Sequence, residues 1–123
     1  MSPIAPHDLG VLEALAEVEI ETLTGPGASV HRTVIWVVVE DGDVYVRSVR
    51  GELGRWYREL IDRPDGTLLV GDRRYPFRAV PASDPASVDA CSRGLRRKYE
   101  RDPSLDSMLR PDVLPATLRL VPR

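Results

Sequence analysis

The strongest constraint on this chain is the run Val34-Ile35-Trp36-Val37-Val38-Val39, apolar at both parities and followed at once by Asp41-Gly42. Successive side chains of a strand point to opposite faces, so an all-apolar run of β-branched residues needs cover on both sides. In a chain of 123 residues that cover is a barrel interior on one face and a helix or second subunit on the other. Asp-Gly as a two-residue loop selects a type I′ hairpin turn, whose twist matches that of the flanking strands. The strand Arg32 to Glu40 is therefore expected to fold back onto Asp43 to Val49. The returning strand would set Val44, Val46 and Ser48 on one face and Tyr45, Arg47 and Val49 on the other.

The remaining segments read around this hairpin. Residues 8–17 are expected to form a helix with Asp8 as N-cap and Leu9, Leu12, Leu15 and Ala16 on its apolar face. Val18 to Leu23 alternates as a half-buried strand, and Gly25-Pro26-Gly27 is a loop by its chemistry. Gly51 to Gly54 breaks the hairpin strand before a helix over Arg55 to Asp62, which Arg63-Pro64 ends because proline disfavours helical geometry in the residue before it. Strands at Thr67 to Val70 and Tyr75 to Val80 flank the Gly71-Asp72-Arg73 turn. A helix from Ser83 or Asp84 to about Arg101 buries Val88, Cys91, Leu95 and Tyr99, and Asp102-Pro103 closes it. A last strand covers Ala116 to Val121. Six short strands with hairpins predict a mainly β fold with flanking helices, a single six-stranded split β-barrel domain of Greek-key type spanning residues 1–123.

Composition narrows the chemistry. A net charge of −2 gives no broad basic face for nucleic acid. No apolar run approaches the roughly 18 residues of a membrane span, and Met1 to Gly10 does not have the pattern of a signal peptide. Cys91 is the only cysteine, which excludes an internal disulfide and fits a reducing, cytoplasmic setting. His7 and His31 are the only histidines, so no metal site is expected. Asparagine and glutamine are absent, and sixteen of the seventeen basic residues are arginine, so a polar site must be built largely from guanidinium, carboxylate and hydroxyl groups.

Nucleophile elbows, Walker loops, His-Glu-x-x-His and Cys-x-x-Cys are all missing. Cys91, on an apolar helix stripe, reads as an inert core thiol. Arg93, Arg96, Arg97, Lys98 and Arg101 read as a solvated helix face. His31 is a candidate anion donor or an ordinary surface residue. The segment with the most chemistry is Arg47-Ser48-x-Arg50-Gly51, followed by Arg55, Trp56 and Tyr57. A strand ending in guanidinium and hydroxyl groups before a helix start is a candidate phosphate cradle, or else a solvated strand end. Arg32 and Thr33 on the paired strand join it if the register brings the strands level.

Several of these residues follow a familiar order. They are Leu23-Thr24-Gly25, Arg32-Thr33-Val34-Ile35-Trp36, the Asp41-Gly42 hairpin, Val44 to Ser48, Gly51, Trp56-Tyr57, Pro64, Arg78-Ala79 and Ala116 to Leu120. The pattern resembles the FMN-binding split-barrel proteins, which include pyridoxamine-phosphate oxidase-like enzymes and deazaflavin-dependent nitroreductases. It is closest to an uncharacterised bacterial family in that group, over roughly residues 18–122. The resemblance implies a flavin- or deazaflavin-binding oxidoreductase acting on a small organic substrate, with two subunits sharing each site. Carried onto this chain, the cofactor contacts would be Arg32, Thr33, Arg47, Ser48, Arg50, Gly51, Trp56 and Tyr57. No catalytic side chain is implied, since the cofactor carries the hydride. Pro26-Gly27-Ala28 stands where the deazaflavin enzymes usually carry basic residues, which places FMN ahead of the deazaflavin. A non-catalytic binding or dimerisation module without cofactor is the alternative.

Overall fold

The computed structural model describes residues 6–25 and 29–123. The expected loop at Gly25-Pro26-Gly27 therefore lies, beyond Gly25, outside the described residues. In chain order the elements are α1 (Pro6–Ala14), β1 (Val18–Thr24), β2 (Ser29–Ile35), β3 (Val38–Glu40), β4 (Asp43–Arg47), α2 (Arg55–Asp62), β5 (Asp65–Val70), β6 (Arg73–Pro81), α3 (Pro85–Lys98), α4 (Leu105–Met108) and β7 (Thr117–Pro122). Single 3-10 turns at Gly51–Leu53 and Leu114–Ala116 lead into α2 and β7.

The seven strands form one antiparallel sheet in the order β2-β1-β5-β6-β7-β4-β3, curled into a half-barrel flanked by helices. β4 lies beside β7 rather than beside β5, so the last four strands are ordered in Greek-key fashion. The split barrel is thus the fold, with one correction: it has seven strands, not six. The run Arg32 to Glu40 is not one strand. It bends at Trp36-Val37 into β2, which pairs with β1, and β3, which pairs with β4. The two halves of one apolar run form the two outer strands of the sheet. Tertiary bonds fix the bend, since the Val37 N–H donates to the Tyr99 hydroxyl at 3.3 Å and the Val37 carbonyl accepts from Lys98 Nζ at 2.6 Å.

The Asp41-Gly42 turn has φ of 54° and 81° at its two residues, the pair of positive values that a type I′ turn requires. Asp84 caps α3, its carboxylate accepting the Ser87 N–H at 3.1 Å ahead of Pro85 at the first helical position. The barrel core is apolar, built on Ile20, Val44, Val46, Leu60, Leu68, Phe77 and Leu118, with Trp56 and Tyr57 of α2 plugging one end. A second cluster packs α3 and α4 on the outside of the sheet through Val38, Tyr45, Cys91, Leu95, Tyr99 and Met108. The expected cover is present on both faces from Ile35 onward, whereas Val34, at the start of the run, is 58% exposed.

Candidate functional site

A cleft of about 270 Å³ opens where the end of β2, the residues after β4, the start of α2 and α4 converge. Val34, Ile35 and Trp36 form one wall, Val49 and Trp56 another, and Ser104, Met108 and Glu17 close the rim. Trp36 is held in place by stacking on Tyr99, with ring centroids 4.0 Å apart and planes 6° from parallel. Trp56 is rooted in the barrel core. Two indoles and aliphatic side chains give this cleft surfaces suited to a flat ring system. Val34 and Val49 on its margin are 58% and 45% exposed, an unusual position for valines flanking a cleft.

Arg47, at the floor, is 2% exposed. Its Nε donates to Thr117 Oγ1 at 2.9 Å. Its Nη1 donates to Ser92 Oγ and to the Met108 carbonyl, both at 3.0 Å, and its Nη2 to the Val88 carbonyl at 3.0 Å. Every one of these acceptors is neutral. Burial pushes the Arg47 guanidinium below its ordinary value, and burial likewise pushes the Cys91 thiol up to about 11 against the pull of Arg47. Cys91 is thus a protonated core thiol. Arg47 ties β4 to β7, α3 and α4, and it brings a positive charge to the cleft floor with no carboxylate bound to it among the described residues.

The other residues expected at the site divide into two groups. Ser48 is buried, its N–H donating to the Ala116 carbonyl at 3.2 Å and its hydroxyl lying against Gly54. A Cβ on Gly54 would fall 2.2 Å from Ser48 Oγ, so this hydroxyl is packed against the entrance to α2 and does not face the cleft. Gly51 is buried with φ of 64°, a left-handed conformation that suits glycine at the start of the 3-10 turn. Tyr57 is core and opens onto a different groove, beside Glu52, Arg58, Ile61 and Asp62. On the solvent side, Arg50 is exposed, and it makes no side-chain bond among the described residues. Arg32 is exposed and paired with Glu21 at 3.1 Å, while Thr33 accepts a bond from Arg55 Nη2 at 3.0 Å. Of the eight, Arg47 and Trp56 line the cleft, Arg32 and Thr33 lead along β2 into its wall, and Arg50 stands free after β4.

Val34, Trp36, Val49, Ser104 and Met108 line the cleft without having been expected there. For Val34 and Val49 a signal exists in the sequence, because each adds an apolar residue on the outer face of a strand or strand end. Ser104 and Met108 arrive through the tertiary placement of α4 and carry no local signal. Among the described residues no group of three or more histidine, cysteine or acidic side chains is placed to hold a metal ion, and no helix is long and apolar enough to cross a membrane.

Comparison with known proteins agrees with this architecture. Residues 8–120 match the model of DUF2255, described as an uncharacterized protein conserved in bacteria. No curated protein sequence matches the chain significantly. Among solved structures, the conserved hypothetical protein Rv2991 of Mycobacterium tuberculosis superposes with a TM-score of 0.75 at 20% identity, covering 100% of this chain and 81% of its own. A putative pyridoxamine 5′-phosphate oxidase from Listeria innocua gives 0.69 at 13% identity over 95% and 91% of the two chains. An FAD-binding protein from Mycobacterium smegmatis gives 0.64 at 16% identity over 97% and 91%. A heme storage protein from Vibrio cholerae and a heme binding protein from Mycobacterium smegmatis occur among the further matches. At these identities the likeness is one of fold.

Proposed function

The chain belongs to DUF2255, a bacterial family within the split-barrel fold, and from that premise we propose that it binds a flavin-type cofactor, FMN in the first place, in the Trp36–Trp56 cleft. The observation that carries this reading is the cleft itself, with two indoles on its walls and the buried Arg47 charge at its floor. A flat, electron-poor ring carrying polar edge atoms fits such a lining. Arg50, Arg32 and Thr33 are the donors available to a phosphate tail on the open side. The names of the pyridoxamine-phosphate oxidase-like and FAD-binding structural neighbours point the same way.

When bound, a flavin supplies hydride chemistry toward a small organic substrate, and the protein's task is to bind and orient it. Trp56 is fixed by the core and Trp36 by Tyr99, so the walls are preorganised. The exposed Val34 and Val49 at the cleft's margin are covered by a second copy of the chain, which makes the working form a homodimer. The lone thiol fits a cytoplasmic protein.

Titration of the purified protein with FMN, followed by quenching of Trp36 and Trp56 fluorescence, tests the proposal. Saturation at a dissociation constant of about 1 μM or tighter is the expected result. Flat titrations with both FMN and the deazaflavin coenzyme would leave the cofactor-free dimerisation module as the correct account. A hemin titration in parallel tells a flavin site from a general planar-ring site. Arg50→Ala is expected to weaken FMN binding by about 1.5–3 kcal/mol, the worth of a charge-assisted bond, and an unchanged constant removes Arg50 from the site.

A further inference from the structure

Lys98 is the only lysine in a chain with sixteen arginines. It closes α3 and is half-buried. Its Nζ donates to two backbone carbonyls on separate elements, Leu12 of α1 at 2.9 Å and Val37 of the β2–β3 bend at 2.6 Å. The adjacent Arg97 takes the carboxylates instead, bonding Glu40 and, at 2.7 Å, Glu13. Glu13 is further engaged by the Val39 N–H at 3.1 Å. No carboxylate lies within ion-pair distance of Lys98 Nζ among the described residues.

A protonated lysine has three N–H donors, whereas only two acceptors meet this one among the described residues. The neutral amine keeps both bonds with its two hydrogens and turns its lone pair to the third tetrahedral position, away from both carbonyls. The fold therefore accommodates the neutral form without losing either bond. Burial, helped by the charge of Arg97 and opposed by that of Glu13, lowers the ammonium to about 8. At about pH 7.5 roughly a quarter of the amine is then neutral, against about 0.1% of an ordinary lysine. The other nucleophiles of this layer are closed. The Cys91 thiol is fully buried and held protonated, and the Tyr99 hydroxyl, pushed up to about 12 by burial, donates to the Ala16 carbonyl at 2.6 Å.

We propose that Lys98 is an acylation site, its amine taking a small acyl group from an activated carboxylic donor, an acyl phosphate or an acyl thioester. The Nζ lone pair forms the bond to the acyl carbon. The C–O bond to phosphate, or the C–S bond to the thiol, breaks with its electron pair on the leaving atom. The leaving group takes the proton that nitrogen loses, and nothing is oxidised or reduced. A neutral amide suits this environment better than an anionic carbamate, because two carbonyl oxygens and the Glu13 charge act on the nitrogen. Half-burial restricts the acyl group to a small one. The product keeps one N–H for two carbonyls, so either α1 or the bend is released. Val37 follows Trp36 in the chain and Tyr99 stacks on the Trp36 ring, so acylation of Lys98 loosens the Trp36 wall of the cleft.

The test incubates the folded protein, without added flavin, with acetyl phosphate in one arm and N,S-diacetylcysteamine, a small thioester, in the other. Nα-acetyllysine amide in the same solution serves as the exposed amine of ordinary basicity. Mass spectrometry of the digested protein locates the acetyl group. At about pH 7.5, Lys98 is expected to be acetylated at least about fivefold faster than the reference amine by one donor or both, and the reactive arm names the leaving group. Unfolding the protein in urea should remove the preference, since it belongs to the fold. In the acetylated folded protein, the Trp36 indole N–H resonance should move while that of Trp56, rooted in the barrel core, stays in place. Acetylation of Lys98 no faster than the reference with either donor, a preference that survives urea, or an unmoved Trp36 resonance would each overturn the proposal. None of these readouts involves a bound flavin, so the acylation site and the flavin site stand or fail separately.

Discussion

At the scale of single residues, Arg47 is the most consequential side chain in the protein. A guanidinium that is 2% exposed and bonded only to neutral oxygens must recover its desolvation through the number and geometry of its bonds. Lysine has neither the planar fork nor the reach to satisfy acceptors on β7, α3 and α4 together. Arg47→Lys is therefore expected to lower unfolding stability by about 3 kcal/mol, measured by urea denaturation. A loss below about 1 kcal/mol would mean that water replaces the fork. This role was not legible in the sequence. Arginine at the end of a strand is ordinarily solvent-facing, and the acceptors lie 41 to 70 residues away along the chain. Trp56 was legible, because its place at helical spacing beside Leu60 marks it as inward-facing. Ser48 was expected as a hydroxyl of the phosphate cradle, but it is buried against Gly54, whose missing side chain makes room for it, a contact between two segments that no local pattern records.

At the scale of elements, α3 does more than cover the sheet. Its last turn presents Arg97 to Glu13 and Glu40, and Lys98 donates to the carbonyls of Leu12 and Val37, which clamps α1 and the β2–β3 bend together. The basic run that looked like a solvated face is thus partly a fastener: Lys98 is half-buried, while Arg93, Arg96, Arg97 and Arg101 stay exposed. Burial lowers the Lys98 ammonium to about 8, from an ordinary value near 10.4. Between these values the unfolded chain holds a proton that the folded one has released, so stability rises with pH across that window and is flat below it. Urea midpoints should therefore increase from about pH 7.5 to pH 8.5, above which the Cys91 thiol, protonated only in the fold, acts in the opposite direction, and Lys98→Met should remove most of that rise. Elements with local punctuation were readable in advance, including the Asp41-Gly42 hairpin, the stop at Arg63-Pro64 and the start at Asp84-Pro85. The break at Trp36-Val37 was not. It has neither glycine nor proline, and the groups that bend it, Tyr99 and Lys98, sit some 60 residues downstream.

At the scale of the whole molecule, the curled sheet leaves one outer strand, β2, with Val30 and Val34 exposed on the same face as Arg32, and the Trp36–Trp56 cleft continues that surface. Burying such residues against a second copy is the source of affinity expected for the homodimer. Val34→Asp should convert the dimer to a monomer in sedimentation and reduce FMN quenching in the same sample. If the wild-type protein sediments as a monomer yet binds FMN, the cleft is complete in one chain. The barrel class was legible because hairpin signals and short strands set it, whereas closure depends on the bend that joins the two outermost strands. That bend has a kinetic consequence. The Val37 amide is bonded to the Tyr99 hydroxyl rather than to a neighbouring strand, so its deuterium exchange reports the detachment of α3 and not the opening of the sheet. In Tyr99→Phe that one amide should exchange faster while the β4–β7 amides keep their protection, which makes Val37 a single-site gauge of how often the outer helix layer lifts from the barrel.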